Sequence, residues 1–175
     1  HNAVAGDYMN LLTYNKLFKS DMDMNPVPDL VDSYENISDT EWQFKIKQGV
    51  KFHDGSEMSV EEVKASLEWA QGFAEVNLYH KDIVSVDIVD ETTVKITTDG
   101  PDAMLLDNLC HHGNSIVPKK LIDEGHDFNT EPIGTGPYKL VEWNRGDSLV
   151  FEAFEDYFGG APAIQHMTWK LIPEG

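Results

Sequence analysis

The densest run of reactive side chains in the sequence is Cys110-His111-His112, followed by Gly113 and Asn114. A thiol beside an imidazole is the material of a cysteine-dependent hydrolase. That chemistry needs the base within hydrogen-bond reach of the sulfur. Sequence adjacency does not supply it, because consecutive residues on a helix point in different directions. Cys110 therefore reads as a buried structural thiol. The two histidines, with His80 or His126, offer metal ligands, but the chain has no H-x-x-x-H, H-E-x-x-H or C-x-x-C spacing to gather them. In His53-Asp54 the carboxylate is expected to bond its own local backbone in a turn. Asp21-Met22-Asp23-Met24-Asn25 alternates oxygen donors like the opening of a calcium loop, and Asp32 falls at the twelfth place. Pro26 stands where that loop needs glycine, and the closing glutamate is missing. Gly134-Thr135-Gly136-Pro137 is no phosphate loop, since it lacks G-x-x-x-x-G-K and no helix follows; it reads as a tight turn. No catalytic constellation, metal site or cofactor site emerges, and no enzymatic activity is expected.

The elements that must position these residues are clearest between Trp42 and Leu67. Trp42, Phe44 and Ile46 alternate with polar residues, the period of a half-buried strand. Gly49 breaks the strand, Val50 and Phe52 resume the alternation, and Asp54-Gly55 is a turn dipeptide. Ser59 and Glu62 then form a capping box. Val60, Val63, Leu67 and Ala70 give the helix over 59–71 one apolar face.

Upstream, 1–20 carries a weak helical pattern through Tyr8, Leu11, Leu12 and Leu17, and Pro26-Val27-Pro28 reads as an extended connector. Downstream, 75–80 has no period and reads as loop. Val84, Val86 and Ile88, a turn at Asp90-Glu91, then Val94 and Ile96 spell a β-hairpin. Asp102 can cap a short helix carrying Met104, Leu105 and Leu109, and a second short helix ends at Gly125. Three strands close the chain, through Tyr138 to Trp143, Leu149 to Ala153 and Met167 to Leu171. Strands and helices follow without regular βαβ alternation, which predicts an α+β (mixed α/β) fold with mixed or antiparallel sheets and flanking helices. Residues 44, 46, 63, 67, 86 and 96 are the predicted core.

At 175 residues and 41% hydrophobic content the chain can bury one core. Its formal charge of −18 argues against nucleic acid or an anionic membrane surface as a partner. One cysteine excludes an internal disulfide framework. No apolar run approaches the length of a membrane span. The first residue is not Met, so the start looks cut.

Three segments carry a resemblance. GVKFHDGS (Gly49 to Ser56) with its acidic-start helix, IGTGPYKLVEW (Ile133 to Trp143) and DYFGGAPAI (Asp156 to Ile164) resemble, in that order, the family 5 extracellular solute-binding proteins. Those are receptors of dipeptide, oligopeptide and nickel ABC importers. The resemblance implies one lobe of a receptor like the type II periplasmic binding proteins over 1–175. Within it, 1–35 and 130–175 would form a core sub-layer and 36–129 an inserted one. It implies capture of di- or oligopeptides, with nickel, another metal chelate or another small solute as the alternative. The implied ligand face comprises Asn2, Ala3, Val4 and Ala5 in the N-terminal loop. Beside them it places Cys110, His111, His112, Gly113 and Asn114, just before the turn Ile116 to Lys119. The two loops should share one surface. The implied partners are the solute, a second lobe of the same protein and a membrane permease. The implied location is extracytoplasmic, with a secretion signal upstream and a membrane anchor. Family chains are longer, and their second lobe and returning C-terminal strand have no counterpart in these 175 residues. The chain should thus fold, bind solute weakly, and self-associate through an open, partly apolar cleft face.

Overall fold

A computed structural model describes residues 9–172. The first elements depart from expectation. Helix covers only 9–13 of the described residues, and Leu11 is exposed. The chain then straightens into β1 (Phe18–Ser20), which pairs antiparallel with β2 (Pro26–Pro28), so the proline segment is a strand and not a free connector. Proline permits this because its fixed φ suits extended backbone on an edge. The connecting turn is closed by the Asp21 carboxylate, which accepts from the N–H of Asp23 (2.9 Å) and Asn25 (2.8 Å). Asp21 thus does turn chemistry.

A four-stranded antiparallel sheet follows, built from β3 (Val31–Ser38), β4 (Glu41–Ile46), β5 (Ile83–Asp90) and β6 (Thr93–Thr98) in the order β3-β4-β6-β5. Phe44 lies opposite Val94, and Ile96 lies opposite both Trp42 and Val86, so the alternating apolar residues meet on one face. Helix α1 (Val60–Gln71) covers that face. Ser59 caps it as predicted: its hydroxyl accepts from the N–H of Glu61, and Glu62 accepts from the N–H of Ser59 at 2.9 Å. Residues 44, 46, 63, 67, 86 and 96 are all buried. Strand β3 has no sequence signature, since seven of its eight residues are exposed at the sheet edge and no alternation survives.

The stretch expected to be loop at 75–80 is helix α2 (Ala74–His80). Of its residues only His80 is buried, so it shows no apolar stripe. Short helices α3 (Leu105–Leu109) and α4 (Lys119–Asp123) flank a 3₁₀ turn at His112–Asn114. The last sheet, also antiparallel, runs β7 (Tyr138–Asn144), β8 (Ser148–Ala153), β9 (His166–Lys170). It has its own apolar cluster of Met9, Tyr138, Leu149, Phe151 and Ala153, separate from the larger core between α1 and the four-stranded sheet. The fold is mixed α/β with antiparallel sheets, as predicted.

Candidate functional site

Two of the three segments singled out in the sequence meet at one imidazole, and the third is joined to the first by an ion pair. His53 follows Phe52, which is fully buried, and its ring lies edge-on to Phe154 with centroids 5.0 Å apart. Its Nε2–H donates to the Gly136 carbonyl (2.9 Å), while Nδ1 accepts from the Gly134 N–H (3.4 Å). His53 also donates its backbone N–H to Gly134 O at 2.9 Å. Burial pulls the imidazole down to about 4, with the Gly136 bond opposing in part. At neutral pH the ring is therefore an uncharged strut. Gly136 is required here, because a Cβ would run into the backbone of Leu12 and Thr13. Lys51 reaches the third segment through an ion pair with Asp156 (3.0 Å).

A buried polar knot ties the same region to the start of the chain. Thr135 Oγ1 donates to Asn15 Oδ1 (3.0 Å), and Asn15 Nδ2 donates to Asp29 Oδ2 (3.0 Å). Asp29 also meets Lys19 at 3.3 Å. The Lys16 ammonium nearby is pushed down by burial, an effect that the Asp29 charge opposes. Paired in this way, buried polar groups fix register between distant segments.

The second loop of the predicted ligand face wraps the end of α2. His111 is stacked on Tyr79 at 3.8 Å, and the His112 ring lies 4.1 Å from it. His112 is exposed and His111 half-buried. Gly113 packs so near Val76 that a Cβ would come within 2.6 Å of that side chain. Asn114 points inward, fully buried, with Oδ1 against His80 Nε2 and Nδ2 donating to Asn108 O at 2.7 Å. Cys110 donates its thiol hydrogen to Leu106 O (3.4 Å), and burial pushes that thiol up, against weaker pulls from Ser20 and Lys16. A thiol held protonated, with no base bonded to it among the described residues, is a poor nucleophile. Tyr79 and His80, which hold the loop, carried no sequence signal because α2 itself had none. Asn2, Ala3, Val4 and Ala5 lie outside the described residues, and with them the test of a shared surface.

Two open depressions, of about 310 and 200 Å³, flank Lys139 and Glu152, and His53 borders the smaller. None of residues 110–114 lines either one. Among the described residues no group of three His, Cys, Asp or Glu could hold a metal ion.

Comparison with known proteins fits this arrangement. The model of the bacterial extracellular solute-binding proteins, family 5 Middle, matches residues 25–175. The chain belongs to this family. It is 37% identical over 166 residues to the glutathione-binding protein GsiB of Pectobacterium atrosepticum, covering 91% of this chain and 32% of that protein. The fold superposes on the binding protein AgaA of A. tumefaciens R10, solved with agropinic acid, with a TM-score of 0.88 at 31% identity; 96% of this chain and 35% of AgaA are covered. On the Bacillus subtilis oligopeptide-binding protein AppA, solved with a nonapeptide, the TM-score is 0.87 at 28% identity, covering 99% of this chain and 36% of that one. This family 5 chain spans about a third of the length of the curated relatives it matches. Two of its family segments thus meet at His53, and the third is tied to the first by the Lys51–Asp156 ion pair.

Proposed function

We propose that this family 5 chain is the first lobe of an importer's solute receptor, binding di- or oligopeptides outside the cytoplasm and catalysing nothing. The observation that carries the reading is the family match over residues 25–175. Relatives named for glutathione and solved with a nonapeptide favour a peptide as solute. The ligand face is the N-terminal loop with Asn2 to Ala5 and the loop Cys110 to Asn114, in which His112 is the exposed residue. A core sub-layer of 1–35 and 130–175 with 36–129 inserted is part of this reading. So are a second lobe, a membrane permease and an anchor outside these residues. Among the described residues no helix is long and apolar enough to cross a membrane.

A receptor closing two lobes by hinge motion splits its contacts between them. Halving a micromolar binding energy of about 8 kcal/mol leaves about 4, a millimolar constant. Isothermal titration of the full-length receptor beside this 175-residue chain tests it, with glutathione, dipeptides, longer peptides and a nickel-histidine chelate. The expected result is a micromolar peptide for the receptor and millimolar binding or none for the chain. Silence of every peptide on the full-length receptor overturns the peptide reading, and heat from the chelate alone replaces it. A sub-micromolar ligand for the 175 residues overturns the division of the site.

A further inference from the structure

We propose that His80 is a proton-controlled positioning residue: neutral, it holds Asn114 and with it the loop 110–115, and protonated, it releases them. The relevance to solute rests on the reading of that loop as ligand face, but the device stands on its own geometry. His80 and Asn114 are 2% and 1% exposed. The Asn114 amide is oriented by its other end, since Nδ2 donates to Asn108 O. Its oxygen therefore faces His80 Nε2, and an amide oxygen only accepts. The ring must carry its hydrogen on Nε2, which leaves Nδ1 as a bare lone pair. Nδ1 is buried and has no hydrogen-bond partner among the described residues. A second proton would place a charge and an unmatched donor there, and both are costly in a dry site.

Among the described residues no neighbouring charge offsets this. On its own stretch the titratable groups are Glu75, Tyr79, Lys81 and Asp82, of which Lys81 and Asp82 pair with each other at 3.8 Å. On α1, Lys64 is paired with Glu68 at 2.7 Å, and α3 contributes Asp107. The loop brings Cys110, whose thiol is neutral, and the adjacent, mutually tilted rings of His111 and His112, which would repel each other if both were charged. None of these groups shifts His80; burial pulls its pKa down and only the Asn114 bond acts against it. The sign follows. The closed loop is favoured fully above the ordinary imidazole value of about 6.5 and loses ground as pH falls below it, because only the open form takes the proton freely.

Hydrogen exchange on the 175-residue chain reads this without any ligand. The amides of Asn114 and Ser115 are bonded to His111 O and His112 O and report the turn. Their protection factors, which remove the intrinsic pH dependence of exchange, should fall by up to about 30-fold from pH 7.5 to 5.0. His80→Gln keeps one N–H for Asn114 but takes no proton, so its protection should stay flat. Equal falls in both proteins, or no fall in the wild type, overturn the proposal. If the variant does not fold, nitrogen NMR of the wild-type ring decides: Nε2–H at neutral pH and no proton gain until well below 6.5 support the latch, and the Nδ1–H form sinks it. Failure of all peptides to bind the full-length receptor would strike the functional reading alone, since protection is measured with no solute present.

Discussion

Replacing His53 with glutamine should reverse the order of stability between mutant and wild type as pH falls. In the native chain the imidazole is held neutral, at about 4 against an ordinary value of 6.5, mainly by burial. The unfolded chain therefore binds the extra proton first, so stability is complete above pH 6.5 and drains between there and 4. That gap corresponds to about 3 kcal/mol, and partial access of solvent to the half-buried ring brings the expected loss to about 2. Glutamine can still donate to Gly136 O but leaves the Gly134 N–H without the acceptor it has at 3.4 Å. A lost bond of that kind costs about 1 kcal/mol. Wild type should then be more stable by about 1 kcal/mol at pH 7.5, and the mutant by about 1 at pH 4.5. Urea unfolding followed by tryptophan fluorescence, in half-unit steps of pH, measures both curves. Carboxylates and His80 titrate in both proteins and cancel in the difference, provided the sites are independent. A difference constant within about 0.5 kcal/mol across the range would refute the buried neutral strut, as would a measured His53 pKa of 6 or above.

Gly136→Ala should destabilise the chain by about 1–3 kcal/mol, because the added methyl meets the Leu12 and Thr13 backbone, which cannot turn aside as a side chain would. A urea midpoint within error of wild type would mean that this approach is looser than it stands. Ser59→Ala removes the hydroxyl at the start of α1 and should cost about 1 kcal/mol in thermal unfolding. An unchanged melting temperature would show that the helix start is held by packing of Val60 and Val63 instead.

Local order was legible in the sequence wherever one face of an element is wet and the other dry. Phe44 and Ile46 alternate with lysines because β4 lies inside a sheet with one covered face, and Ser59 and Glu62 announce α1 through bonds that span three residues. The resemblance carried by three short segments also located the family, since tight turns constrain residue types strongly. What the tertiary structure decided was everything that depends on a partner far along the chain. Strand β3 at an edge and helix α2 with one buried residue leave no period to read. The ring of His53 meets glycines more than 80 residues away, and His80 meets Asn114 across 34. Periodicity reports which side of an element is covered, never what covers it. Asn114 therefore looked like a polar loop residue open to solute and is a buried anchor, while Cys110, chemically the most suggestive residue, is quieted by its surroundings.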